Sequence, residues 1–164
     1  MSAFTISLVL ATLLCSLVAG FLFAYAVVVM PGLRDLDDRQ FIRAFQVTDR
    51  VIQDNNPLFI LVWVGSAIAV IACVVTGALL LEGTELVLLL FATVIYLTGV
   101  QISTIAVHLP LNNKLQQLNV DDMSDHELQA ARVAFEPRWN NSNRIRTAIA
   151  CMTAVTLITL NLLL

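Results

Sequence analysis

Charge is missing from four long stretches of this chain, and those gaps constrain the fold more than any motif does. No Asp, Glu, Lys or Arg occurs from Met1 to Leu33, from Pro57 to Leu81, from Leu86 to Leu111 or from Ala148 to Leu164. Three of the stretches exceed the roughly 20 apolar residues that cross a bilayer as a helix, and the fourth approaches that length once Ile145 and Thr147 are added. Only 13% of the residues are charged, against about 25% in an ordinary soluble domain. The pattern predicts an all-α integral membrane protein. Residues 1–164 read as a single membrane domain with spans at about 4–30, 57–81, 86–109 and 145–164. The first span has no basic residues before it and is about twice as long as the apolar part of a signal peptide, so it reads as a span and not as a cleaved leader.

The segments between the spans carry helix signals of their own. Met30-Pro31-Gly32 is expected to end the first span, because proline cannot continue a helix and glycine permits a turn. In the loop from Leu33 to Asn56, Asp37 and Gln40 have capping-box spacing. Phe41, Ile42, Phe45 and Ile52 then recur near the helical period, with Arg39, Arg43, Asp49 and Arg50 assigned to other faces. This predicts an amphipathic helix over about Arg39–Gln53, and periodicity fits both a helix lying on the headgroups and a lid over a pocket. Asn55-Asn56-Pro57 supplies a cap and a first-turn proline for the second span. Glu82-Gly83-Thr84-Glu85 predicts a tight turn that makes the second and third spans antiparallel neighbours. In the loop from Pro110 to Arg144, Ser124 and Glu127 form a second capping box, and Leu128, Ala131, Val133 and Phe135 follow on a helix that Pro137 is expected to interrupt.

Eight of the nine Lys and Arg residues fall in these two loops, and the ninth, Arg146, lies just past the second, at the start of the fourth span. Four spans put both loops on one side, and the positive-inside rule makes that side the cytoplasm. The termini and the Glu82–Glu85 turn then lie outside, and the expected location is a bacterial inner membrane. The sequon Asn140-Asn141-Ser142 is discounted for the same reason. The expected architecture is a four-helix bundle, up-down-up-down, with short amphipathic helices in its two large cytoplasmic loops. Cys15, Cys73 and Cys151 sit one per apolar segment with no CxxC pair. That spacing argues against a thiol–disulfide oxidoreductase and against a zinc or iron–sulfur centre, and leaves the cysteines as packing residues. Gly65, Ser66, Ala67 and Ala69 form a small-residue patch of the kind that lets helices approach closely. The partners expected are the lipid bilayer and a lipophilic small molecule; no nucleic acid is expected, and a homo-oligomer is left open.

The polar residues of the spans gather toward the cytoplasmic end. Thr98, Gln101, Thr104 or Ile105, and His108 share one face at helical spacing, and Pro110 should redirect the helix just beyond. Gln101 sits roughly 10 Å deeper than His108. A bundle brings His108, Asn112 and Asn113 together with Arg34, Asn55 and Asn56, and with Trp139, Asn140, Asn143 and Arg144. His108 is the one neutral-pH base at this mouth. It reads equally as a polar residue satisfied at a helix end, just as the asparagines read as caps and Arg34, Arg144 and Arg146 as topogenic charges. His126 lies in a polar capping turn and reads as solvated.

Several short motifs occur in order along nearly the whole chain. They are Pro31-Gly32-Leu33; Phe45-Gln46 with Asn56-Pro57-Leu58-Phe59; Pro110-Leu111-Asn112 with Leu115; and Arg138-Trp139 with Asn143 and Arg146-Thr147. The series resembles the anthrone oxygenase-like family of small four-span membrane proteins. Two positions depart from the family pattern: Thr48-Asp49 stands where an asparagine would follow Phe45-Gln46, and Asn140-Asn141-Ser142 replaces an aromatic-rich step after Trp139.

The resemblance implies cofactor-independent oxidation of a lipophilic phenolic or anthrone-like compound, with O2 as co-substrate. Such a monooxygenase needs a base, donors for a developing oxyanion and an apolar slot for the rings. On this reading His108 is the base and Asn112 and Asn143 are catalytic donors. Trp139 is a stacking wall, Gln101 and Asn56 contact substrate, and Arg34 and Arg144 support its charge. Loss of O2-dependent turnover in His108→Ala or Asn112→Ala is what the reading requires. The alternative is a non-catalytic membrane protein that binds a lipophilic molecule or a partner membrane protein. Transport is less favoured, because the spans lack acidic residues for ion coupling.

Overall fold

The computed structural model describes residues 2–164, and among these residues the regular structure is helical throughout, with no strand. The helices in chain order are α1 (Ala3–Arg34), α2 (Asp38–Gln53), α3 (Pro57–Gly77), α4 (Gly83–Gln116) and α5 (Asp125–Leu163). All but α2 are long and apolar enough to cross a membrane. Large apolar side chains such as Leu13, Val28, Val75, Val94 and Ile158 point outward, which suits a protein whose surrounding solvent is lipid. α4 has 34 residues and α5 has 39, so at 1.5 Å per residue they run about 50 and 60 Å. The hydrocarbon layer takes up about 30 Å. The excess projects from one end and forms, with α2, the walls of the site described below.

Local signals at the helix starts act as their chemistry requires. Asp37 accepts from the Gln40 N–H at 2.8 Å, and Asn56 accepts from the Leu58 and Phe59 N–H groups at 3.1 Å each. Ser124 and Glu127 make both halves of a capping box. Gly83 turns the chain into α4 at φ +56°, a conformation that glycine adopts without steric cost.

Polar pairs record how the long helices lie against each other. Ser7 near the start of α1 bonds Thr76 near the end of α3 at 2.8 Å. Asn161 near the end of α5 donates to Thr12 of α1 at 2.8 Å. Small residues permit the close approaches. Gly65 faces Leu14, and Ser66, fully buried, bonds the Tyr96 hydroxyl at 2.6 Å. At Gly99 an added Cβ would meet Ile149 Cγ2 at 3.1 Å, with Ile149 Cδ1 nearer still. Gly99→Leu is therefore expected to destabilise the protein by about 1–3 kcal/mol through overpacking. Thermal unfolding in detergent measures this, and the companion change Ile149→Ala should restore part of the loss. An unchanged midpoint for the single variant would refute the close packing of α4 on α5.

Three prolines do not act as their sequence positions suggest. Pro31 does not end the first helix, which continues to Arg34. Pro110 likewise lies inside α4, which runs on to Gln116. In both cases a π-helical turn ends two residues earlier, over Tyr25–Val29 and over Thr104–His108. A π turn widens the helix and shifts the hydrogen-bond partner by a residue, which relieves the clash of the proline ring with the carbonyl four residues back. Pro137 is also passed without a break, so the predicted loop helix and the fourth span are one continuous helix. The carbonyl that loses its partner there belongs to Val133, an exposed residue, and the flanking Phe135 and Trp139 are buried in an aromatic cluster that holds the helix in place.

α2 is docked on the protein and not free on the headgroups. Phe45 meets Phe135 at 4.7 Å and Trp139 at 5.7 Å between ring centroids. Gln46 donates to the Leu115 carbonyl at 2.9 Å, Arg39 donates to the Val120 and Met123 carbonyls, and Arg132 reaches back to the Leu36 carbonyl at 2.8 Å.

Candidate functional site

The docked α2 roofs a cavity of about 430 Å³ whose walls come from all five helices. α1 contributes Phe21 and Tyr25; α2 contributes Phe45 and Asp49; α3 contributes Phe59 and Trp63. α4 supplies Gln101, Thr104, Ile105, His108 and Asn112, and α5 supplies Trp139 and Arg146. Six of the lining residues are Phe, Tyr or Trp. Phe59 stacks on Trp63 at 5.4 Å with an interplanar angle of 16°, and Phe21 packs edge-on against Phe59 at 5.5 Å. A second cleft of about 460 Å³ lies between α4 and α5, but it holds none of the residues expected at the site.

His108 is buried on this wall, and its ring packs edge-to-face with Trp139, 5.0 Å between centroids and 83° between planes. Its Nε2 lies 3.0 Å from Ser142 Oγ, and Ser142 in turn lies 3.3 Å from Ser103. Its Nδ1 has no partner among the described residues. A buried N–H without an acceptor is rarer than an unused lone pair. The favoured tautomer therefore carries hydrogen on Nε2, donates it to Ser142, and leaves the Nδ1 lone pair free.

Asn112 has both ends of its amide engaged. Trp139 Nε1 donates to its Oδ1 at 3.0 Å, and its Nδ2 donates to Asp49 Oδ1 at 2.7 Å. Asp49 also accepts from Gln53 at 2.7 Å and from Gln116 at 3.1 Å. Asn143 is buried behind the wall, donates to the Leu22 carbonyl at 3.3 Å and accepts from Arg146 Nε at 3.0 Å. Both asparagines thus spend their polar atoms on neighbouring protein groups, which suits residues that orient Trp139 and Arg146. Gln101 lines the deep end and donates to the Trp63 carbonyl and Ser66 Oγ at 3.3 Å each.

The other expected residues lie elsewhere. Asn56 caps α3, and its neighbour Asn55 is the one that lines the cavity. Arg34 and Arg144 flank a separate recess of about 40 Å³ with Pro31 and Asn140. Thr98 is exposed and bonds its own helix at Val94, because the π turn over Leu97–Ile102 rotates it out of the face that a regular helix would give. Asp49 falls on the buried face of α2 and not the polar one, with a spacing of four from Phe45 and three to Ile52 that was already legible as the apolar stripe.

Arg146, read from sequence as a topogenic charge, is the guanidinium of this site. It is 5% exposed and bonds Thr104 Oγ1 at 3.0 Å as well as Asn143. Its signal was its place at the first residues of the last span, beyond the other basic residues of the loop, where an ionisable residue facing the bundle marks function by default. Tyr25, in the middle of a charge-free run, carried a weaker signal of the same kind.

The fold and the cavity define a small polytopic membrane protein with an aromatic, partly polar chamber at one end of its helices. The family described as Anthrone oxygenase matches residues 55–156, well over half of the chain, and the chain belongs to that family. No curated protein and no solved structure matches the chain.

Proposed function

We propose that this protein catalyses the cofactor-independent, O2-dependent oxidation of a lipophilic phenolic or anthrone-like compound. The observation that carries the reading is His108: an imidazole that lines an aromatic cavity and whose buried Nδ1 has no protein partner among the described residues. Nδ1 is covered by its neighbours, so in this mechanism the imidazole turns to present it, and it then takes a proton from the acidic ring methylene of the substrate. The electron pair left on carbon makes a C–O bond to O2, giving a hydroperoxide. Loss of the second methylene hydrogen with cleavage of the O–O bond then yields the ketone and water. One CH2 and one O2 become one C=O and one H2O, so O2 is the sole oxidant and no external reductant enters. The indole and phenyl walls hold the fused rings, and Arg146 stabilises the oxyanion while carbon is deprotonated.

The same reading includes the setting. The helices span an inner membrane up-down-up-down, and α2 with the projecting ends of α4 and α5 faces the cytoplasm. The basic residues at that end support this sidedness. Substrate arrives from the bilayer. Val64, Ile105 and Leu109 line the cavity and are also among the exposed apolar side chains, so they rim an opening between α3 and α4 on the lipid side. Ile105→Trp is expected to slow oxidation of a membrane-dissolved substrate several-fold while leaving the thermal midpoint unchanged. Equal rates for both proteins would eliminate this portal.

The direct test is O2 uptake by the purified protein with a dihydroxyanthrone, together with mass spectrometry of the small molecules that copurify in mild detergent. Stoichiometric O2 consumption with formation of the quinone supports the oxygenase. An aromatic ligand retained without O2 uptake assigns the cavity to binding alone, and phospholipid as the only companion points to a scaffold.

A further inference from the structure

We propose that Arg146 is an anion receptor that makes the cavity select flat aromatic ligands in their ionised, phenolate or enolate, form. The proposal rests on the assignment of the cavity as a ligand site and adds the charge state of what it takes.

The guanidinium of Arg146 lies between two indoles, its carbon 6.0 Å from the Trp63 ring centroid and 5.6 Å from that of Trp139. A guanidinium has five N–H groups. Asn143 and Thr104 account for one each. No carboxylate is paired with Arg146 among the described residues; the ion pairs there involve Arg39, Arg43 and Arg132. A charge buried without a counterion is strongly unfavourable. Two ring faces offset part of that penalty, and an anion in the chamber would offset more. The same two indoles that flank the cation provide stacking area, so a ligand that joins a negative oxygen to fused rings satisfies both features together.

The other ionisable groups on the walls set the balance. They are Tyr25 from α1, Asp49 from α2 and His108 from α4, while α3 presents Phe59, Trp63 and Val64. Asp49 opposes an anion. Its two oxygens, however, are turned to the amides of Asn112, Gln53 and Gln116, which spread its charge into the α2–α4 contact. Arg146 engages two of its five N–H groups with Asn143 and Thr104 and is the cation left to meet the ligand.

Alizarin, a hydroxyanthraquinone that changes colour on ionisation and is already at the quinone level, tests this without any turnover. The full chain in nanodiscs is titrated with alizarin bound, and visible absorption reports the ionised fraction. The expected result is an ionisation midpoint lowered by about one pH unit or more relative to protein-free nanodiscs, roughly tenfold in the ionisation constant. Arg146→Gln should lose the shift and Arg146→Lys should keep part of it. No shift in the wild type, or the same shift in Arg146→Gln, overturns the proposal. Should Arg146→Gln not fold, the wild type alone decides. Above the ionisation midpoint it should bind alizarin at least about tenfold more tightly than the alizarin dimethyl ether, which cannot ionise, and equal binding overturns the proposal. The outcomes separate from those for oxidation. A protein that shifts alizarin but leaves anthrones untouched keeps the receptor and removes the oxygenase, and one that oxidises anthrones with no shift does the reverse.

Discussion

His108→Ala is expected to lower O2-dependent oxidation by roughly 10²–10⁴-fold, the range that a positioned general base contributes. The size of the effect follows from the lack of a substitute. Asp49 has its oxygens committed to Asn112, Gln53 and Gln116, and Tyr25 is a phenol. Only the imidazole combines a free lone pair with burial against the ring slot. The measurement is initial O2 consumption with a dihydroxyanthrone, alongside the thermal midpoint and retention of alizarin by the same variant. A variant that still folds and still binds alizarin yet turns over within about threefold of wild type would take His108 out of the chemistry.

Trp139→Ala should have the largest structural effect of any single side-chain truncation at the site. The indole packs on Tyr25 and Phe45 at 5.7 Å each, on His108 at 5.0 Å and on Phe135 at 6.4 Å, and it donates to Asn112 at 3.0 Å. Truncating a buried Trp costs roughly 3–5 kcal/mol. Here the loss falls on the contact that docks α2. Amide hydrogen exchange over Asp38–Gln53 should accelerate strongly in Trp139→Ala, and activity should fall with it. Trp139→Phe should recover most of the protection, because the ring contacts persist. It should recover less activity, because Asn112 Oδ1 loses its donor and the cost of an unpaired buried acceptor is about 1–3 kcal/mol. Exchange over α2 that is the same in wild type and Trp139→Ala would mean that α2 is held by its polar ties to the α4–α5 connection and not by this ring.

Much of the architecture was legible because it follows from solvent. A run such as Pro57–Gly77 has nowhere stable to go but a helix in lipid. Asn56, Asp37 and Ser124 announce their helices through a local hydrogen bond that three or four residues suffice to define. The gathering of His108, Asn112 and Trp139 was readable for the same reason, since each sits beside the same end of its apolar span. The chemistry of each residue at that end was not readable. Asn112 and Asn143 looked like free donors, and the fold gives them to Trp139, Asp49, Leu22 and Arg146. Arg144 and Arg146 look alike in sequence; two residues apart on a helix, they face about 200° apart, and only Arg146 turns inward.

What the sequence alone determined is the helical membrane fold, the helix starts and the end at which polar residues collect, because solvent and short-range hydrogen bonding decide those. Tertiary structure alone decided that α4 and α5 run unbroken through Pro110 and Pro137, that α2 is a roof, and that Asp49 is tied to Asn112 and Arg146 to Thr104 at the chamber. Those outcomes depend on contacts between residues far apart in the chain, where aromatic packing outweighs the local cost of a proline and the register of a π turn chooses which side chains face in.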